Sequence, residues 1–342
     1  MAINSSISTK FICLGEALLD RLSPLGESSF DHDLVDDCLG GAPANVACGL
    51  AKLGAKVSFC GRVGSDAIGT KFRSLMDQRN IELVGLQVDQ KRSSRIVLVK
   101  RDLQGERSFH GFDGNKGEGF SDQFFNCDEL QGKWHLISRN ASWLLVGTIP
   151  LASSVSAKAL FWTVKQALES DIKIALDINW RATFWDLDSP PDSGPASHHK
   201  ELIFPLIEKA SLLKLAKEEA IWFFNSADAS LIANSLPLKP VVVITDGSNP
   251  ICWSLNPFSG KTKAFSPSRV IDTTGAGDAF TAGLLYQLEI NSLSNNQSVA
   301  NSIILFAAAC GALVCSMPGA IDSQPNYQEV ERFLLEHSGG LT

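Results

Sequence analysis

The residues best suited to chemistry stand together as Asp272-Thr273-Thr274-Gly275-Ala276-Gly277-Asp278-Ala279-Phe280, ahead of the apolar run Thr281-Ala282-Gly283-Leu284-Leu285. This pattern predicts a loop feeding a helix that begins near Ala279. Small residues at 275 to 277 let successive backbone N–H groups converge on one point, and the helix N-terminus adds positive potential, so an anion would be held there. Asp278 then sits where the anion would lie. A carboxylate in that place repels a bound phosphate unless it has work to do, and accepting a proton from an attacking hydroxyl is such work. Phosphoryl transfer is mostly positioning and charge neutralisation, with a base to orient the nucleophile. The alternative is that Asp278 caps the helix by accepting its free N–H groups.

The elements that must position this loop alternate along the chain. Phe11 to Gly15 reads as a buried strand, and Asp20 falls just beyond its carboxyl end, where ligands sit in open α/β sheets. Gly40-Gly41-Ala42-Pro43-Ala44-Asn45-Val46-Ala47 opens a helix over about 43 to 53, with Pro43 in its first turn and Gly54 past its end. Asn45 lies in that first turn, where Gly40 and Gly41 would let a ligand approach the backbone. Strand Lys56 to Gly61 and helix Ile68 to Gln78 follow. Between them, Gly64-Ser65-Asp66-Ala67-Ile68-Gly69-Thr70-Lys71 mimics a nucleotide-binding P-loop with its last two residues reversed. One helical step turns a side chain by about 100°, so Lys71 would point away from a phosphate and Asp66 would repel it.

Ser94 to Lys100 and Arg107 to Phe112 read as a hairpin turning over 102 to 106, and with Arg21 to Cys38 they predict a small sheet over the mouth of the main domain. The stretch 114 to 132 has no assignable pattern. From Trp143 the alternation is regular: strand to Gly147, helix Ser153 to Glu169, strand Lys173 to Ile178, helix near His199 to Lys209, strand Leu212 to Leu215, helix Lys217 to Asn225 and strand Val241 to Thr245. Such a rhythm predicts a mostly parallel sheet covered on both faces. The Pro-rich loop 189 to 198 reads as mobile surface. Helices are expected to about Glu289, over Val299 to Cys315, and over Tyr327 to His337.

The chain has 342 residues, 44% of them apolar and 20% charged, enough for one large α/β core with a small appendage. A formal net charge of −7 argues against a nucleic-acid partner and against a polybasic membrane anchor, so any phosphate site must be made locally. Eight cysteines occur without a Cys-x-x-Cys pair, and Cys13, Cys48, Cys60, Cys310 and Cys315 lie in apolar runs as small hydrophobes. The N-terminal ten residues lack a signal-peptide block and no 18-residue apolar span is expected, which points to the cytoplasm and no membrane. Glycosylation-type triplets begin at Asn4, Asn140 and Asn296 and carry no meaning without export. The six histidines show no metal-ligand spacing.

Taken together, the segments at 40 to 47 and 272 to 278 resemble the two signatures of the PfkB, or ribokinase-like, carbohydrate kinases. Thr245-Asp246-Gly247 and Gly319-Ala320 also match the family's nucleotide side. Gly15-Glu16-Ala17-Leu18-Leu19-Asp20, Gly105-Glu106-Arg107-Ser108-Phe109 and Asp177-Ile178-Asn179-Trp180-Arg181 most resemble fructokinases.

The resemblance implies a three-layer α/β fold with a mostly parallel central sheet. It implies one domain over 1 to 342, whose β lid is formed by about 18–38 and 92–114. It further implies ATP as donor, Mg²⁺, frequently a stimulating K⁺, and a sugar acceptor, with fructose favoured over ribose, 2-keto-3-deoxygluconate or a nucleoside. Asp278 would take the proton of a primary hydroxyl while Gly275, Ala276 and Gly277 hold the migrating phosphoryl group. Asp20, Gly40, Gly41, Asn45 and Arg181 would meet the sugar or its phosphate, although Arg181 could equally form an exposed salt bridge. Thr245 and Gly247, with Gly275 and Gly277, would meet the nucleotide. Asp272 and Thr274 would face the monovalent cation, the alternative for Asp272 being a turn-forming residue. Glu219 would organise Mg²⁺ through water.

Two positions depart from the family pattern: Ala216 where Asn or a small polar residue is usual, which leaves the Mg²⁺ shell open, and Ala308 where an adenine-side Asn is common. Trp180, Phe184 and Trp185 could border the sugar or belong to the core. Ile96, Leu98 and Val99 suggest two lids pairing in a homodimer. The rivals are a catalytically silent PfkB-like binding protein and a dinucleotide-dependent dehydrogenase, which lacks its Gly-x-Gly-x-x-Gly after the first strand.

Overall fold

The computed structural model describes residues 9–27, 29–30, 34–103, 107–114, 118–265, 269–291 and 296–337. Among the described residues thirteen strands are formed. They are β1 (Lys10–Leu14), β2 (Leu18–Leu25), β3 (Asp36–Gly40), β4 (Lys56–Gly64), β5 (Leu86–Asp89), β6 (Ile96–Arg101), β7 (Arg107–Phe112), β8 (Ala141–Val146), β9 (Lys173–Asp177), β10 (Leu212–Ala216), β11 (Val241–Thr245), β12 (Ile251–Leu255) and β13 (Phe258–Thr262). Nine make one sheet in the order β13-β12-β11-β10-β9-β8-β1-β4-β5. Pairing is parallel from β5 through to β11 and antiparallel at β12 and β13. The other four form a smaller sheet in the order β3-β2-β6-β7.

The middle strand shows why three layers result. Successive side chains of β1 point to opposite faces, and all five are buried. Phe11 and Cys13 join a core with the helices Ala42–Lys52, Ala276–Ile290 and Gln297–Val314, whereas Ile12 and Leu14 join a second core with the helices Ser154–Glu169 and Ser197–Ile207. Each buried Leu, Ile or Phe contributes about 1.5–3 kcal/mol. The chain runs from β1 outward to β4 and β5, then returns to β8 on the other side. A reversal of that kind opens a crevice beyond the carboxyl ends of β1 and β8.

Several expectations need correction. The edge strand β5 and the hairpin β12–β13 were not foreseen, nor the helix Ala229–Ser235, which Asp228 caps through the N–H groups of Ser230 and Leu231. The unassigned stretch 114 to 132 holds a short 3-10 turn at Ser121–Phe124 and a helix Cys127–Gln131 capped by Asn126. Gln297–Val314 is long and apolar enough to cross a membrane, contrary to the expectation of no such span. Its Ile303, Ile304 and Phe306 are buried in the core against Ala276–Ile290, the position of a central helix in a globular domain. In the P-loop mimic, Asp66 caps the helix Ala67–Gln78 by accepting the Gly69 N–H at 2.9 Å, and Lys71 is exposed. All eight cysteines are free thiols. Residues 104–106, the tip of the expected hairpin with Gly105 and Glu106, and Asn4 lie outside the described residues.

Candidate active site

The crevice is a cavity of about 430 Å³. Its floor comes from residues at the carboxyl ends of the parallel strands: Glu16 after β1, Ile149 after β8, Asn179 and Arg181 after β9, and Lys214 on β10. The loop 273–278 closes one side, Gly41, Ala42 and Asn45 another, and the smaller sheet supplies Leu18, Asp20, Val97, Val99, Ser108 and Phe109. A second hollow of about 190 Å³ lies behind the loop, lined by Thr245, Gly247, Phe265, Ala276, Gly277 and Ala308 among others. Gly277 borders both.

The helix carrying Asp278 begins at Ala276, earlier than expected. Gly275 is its N-cap at φ 78°, and a Cβ there would stand 2.5 Å from the Ala320 Cβ, so this position takes glycine on two counts. The Ala276 N–H donates to the Thr273 carbonyl at 3.2 Å. Ala276 is therefore less suited to an incoming anion than expected, and Gly277 and Asp278 occupy first-turn positions whose N–H groups have no partner within the helix.

Asp278 does not cap: its Oδ2 accepts from Asn45 Nδ2 at 2.7 Å, and no side chain caps that terminus. Removal from water raises its pKa to about 6; Asp177 pushes the same way, whereas the Asn45 amide, Lys214 and Arg181 pull it down. Asn45 is held by the helix Ala42–Lys52, and its Oδ1 is buried without a hydrogen-bond partner. Gly41, at φ 103°, brings the chain so close to the Glu16 carbonyl that a Cβ would lie 2.6 Å from it. Gly40 ends β3, where a Cβ would approach Asp20 Oδ2 to 3.1 Å. Arg181 is exposed on the cavity wall, and its Nη1 donates to the Trp180 carbonyl at 2.9 Å.

The predicted cation residues are placed differently. Asp272 is buried, its Oδ1 accepting the Thr274 N–H and its Oδ2 the Gly319 N–H, each at 2.9 Å, so it ties the 272–275 loop to the 317–320 turn. Thr274 lines the cavity. Glu219 is buried away from the cavity wall, its Oε1 accepting the Trp180 N–H and its Oε2 the Ala216 N–H, each at 2.7 Å. Burial raises its pKa against the pull of Lys214. Ala216 stands at the N-cap of the helix Lys217–Phe224 and offers no side-chain cap. Among the described residues no three His, Cys, Asp or Glu side chains cluster as a metal site. Mg²⁺ carried on phosphates needs one or two carboxylates and otherwise keeps its waters. Glu219, absent from the cavity wall and with each oxygen accepting a backbone N–H, does not present a carboxylate to that cavity.

Three charged residues of the site were not foreseen. Lys214 is buried, with Nζ 3.2 Å from Asp177 Oδ1 and 3.1 Å from Oδ2, and the Thr281 hydroxyl donates to Asp177 Oδ2 at 3.1 Å. Burial opposes the lysine's charge, but Asp177, Glu219 and Asp278 outweigh it and keep its pKa above the ordinary value. Glu16 accepts the Ala42 N–H at 3.1 Å, its Oε2 is buried without a partner, and burial pushes its pKa up to about 8. The available signal was a charged residue within an apolar strand, as in Leu212-Leu213-Lys214-Leu215 and Ala175-Leu176-Asp177-Ile178. Of the aromatics, Phe184 lines the cavity, whereas Trp180 and Trp185 pack in the second core. Val97 and Val99 line the cavity, which puts Ile96 and Leu98 on the other face of β6. Val99 is thereby removed from the apolar group expected between two lids.

A mostly parallel α/β sheet with an acid and an N–H-rich loop at its carboxyl edge defines a phosphotransferase with an alcohol acceptor. The chain belongs to the pfkB family of carbohydrate kinases, whose model matches residues 9–326. It is similar to a fructokinase of Vibrio alginolyticus, 31% identical over 324 residues that cover 94% of this chain and 97% of that one. A probable chloroplastic fructokinase of Arabidopsis thaliana is 30% identical over 345 residues, 98% of this chain and 86% of that one. Among solved structures, the ATP-bound fructokinase of Xylella fastidiosa superposes with a TM-score of 0.81 at 26% identity, covering 96% of this chain and 99% of that one. The fructokinase of Vibrio cholerae bound to fructose, ADP and calcium gives 0.77 at 25%, covering 96% and 100%. The ribokinase-like fold is thus established for this chain.

Proposed function

We propose that this protein transfers the terminal phosphoryl group of ATP to a primary hydroxyl of a monosaccharide, with fructose preferred. The observation that carries the reading is Asp278 on the wall of the main cavity, next to the Gly277 that borders both hollows, its carboxylate fixed by Asn45 at 2.7 Å and shifted to a pKa of about 6. A base works best with a pKa near the operating pH. Asp278 takes the proton of the hydroxyl, and the N–H groups of Gly275 and Gly277 receive the phosphoryl oxygens. Asp20 accepts from sugar hydroxyls, Asn45 offers its free Oδ1 to another, and Gly40 and Gly41 admit the sugar beside the backbone. Arg181 meets phosphate oxygens from the wall.

The nucleotide occupies the smaller hollow beside Thr245 and Gly247, with Ala308 leaving its base side apolar. Mg²⁺ would supply charge neutralisation for the phosphates when bound, and Glu219 would keep the Trp180 and Ala216 backbone in place. Asp272 and Thr274 shape the loop a monovalent cation would stiffen. The four-stranded sheet acts as a lid within one domain, and the Ile96 and Leu98 face supports pairing of two lids in a homodimer. A panel of fructose, ribose, 2-keto-3-deoxygluconate and nucleosides, read by ADP release, tests the reading. Fructose is expected to give the highest kcat/KM; another acceptor in first place overturns the sugar assignment, and nucleotide binding with background ADP release from every sugar favours a silent binding protein.

A further inference from the structure

We infer that Lys214 is a catalytic residue, its ammonium meeting the oxygens of the phosphoryl group in flight between nucleotide and sugar. The inference deepens the kinase reading and rests on it. Lys214 lies on β10 among apolar neighbours, and its side chain reaches the floor of the main cavity. A Cβ on Gly277, the residue between the two hollows, would stand 3.4 Å from Lys214 Nζ, so the absent side chain leaves the ammonium beside the anion-binding turn. An ammonium carries three N–H donors, and among the described residues its hydrogen-bond acceptor is the Asp177 carboxylate. Asp177 is itself fixed by Thr281 from the helix that carries Asp278, so the lysine and the base are positioned by one element.

In the transfer, the bond from the terminal phosphorus to the bridging oxygen of the departing nucleoside diphosphate breaks as a bond to the sugar oxygen forms. The hydroxyl proton passes to Asp278. Lys214 keeps its protons and meets negative charge on the equatorial oxygens. A fixed cation at that point favours the transition state over the bound substrates.

The structural alternative is that Lys214 only neutralises buried Asp177. Lys214→Met tests the charge, and the double variant Lys214→Met with Asp177→Asn removes both partners, so that neither charge of the buried pair is left unpaired. We expect kcat to fall by about 10²–10³ in each, with the sugar KM and ADP affinity within about twofold of wild type and with melting temperature restored in the double variant. A kcat restored by the second substitution overturns the catalytic role. A wild-type chain that phosphorylates no sugar overturns the kinase reading instead, whatever the variants do.

Discussion

Asp278 occupies a corner in which ionising a carboxyl is costly, and Asn45, Lys214 and Arg181 recover part of that cost. The base is active when unprotonated, so kcat/KM should rise through about pH 6 and then level off; a profile flat from pH 5 to 8 would remove Asp278 from the role. Asp278→Asn should lower kcat by about 10²–10⁴ while nucleotide binding, measured by calorimetry, stays close to wild type. Asp278 and Asn45 were legible from motif spacing at helix starts, whereas Asp20, which lies within β2, drew its assignment from the family resemblance. Lys214 and Asp177 were not, because strand periodicity treats a buried charge as a flaw in the pattern rather than as half of an ion pair whose partner comes from a neighbouring strand. Glu219 and Asp272 each accept two backbone N–H groups, contacts that motif spacing does not give.

The loop 272–275 and the helix it starts act as one element. Gly275→Ala adds a Cβ in a left-handed conformation against Ala320, which should destabilise the fold by about 2 kcal/mol or more and reduce kcat at least tenfold; urea unfolding with turnover measured on the same samples checks both. Unchanged stability would mean that the turn relaxes without the strain argued for it. The helices and strands that periodicity predicted lie within a few residues of those observed, whereas β5 and the helix Ala229–Ser235 carry no such pattern. What escaped was set by long-range packing: the helix start at Ala276 depends on a turn closed by Thr273, and β12 and β13 form by extending a sheet edge whose partner, β11, is remote from any local signal of direction.

At the scale of the whole molecule, the smaller sheet turns one side to the cavity through Leu18, Asp20, Val97, Val99 and Phe109. Leu25, Leu34 and Leu103 are exposed, and Ile96 and Leu98 lie half-buried on β6. Pairing of two lids predicts a sedimenting species of twice the chain mass at micromolar concentration; a monomer throughout would exclude it. The alternation of strands and helices made the main sheet readable in advance, since βαβ units permit few arrangements. The smaller sheet was readable as a set of strands but not in its order, because its parallel β2–β6 pair joins segments far apart in the chain.

The two hollows share Gly277 alone among the described residues. On the proposed reading, acceptor and donor preferences would rest on different parts of the polypeptide: Val97, Val99 and Phe109 for the first, Ala308 and Phe265 for the second. Replacing Val97, Val99 or Phe109 would then retarget the protein to a new alcohol without altering which triphosphate it consumes, so that either preference would drift through mutation while the other is kept.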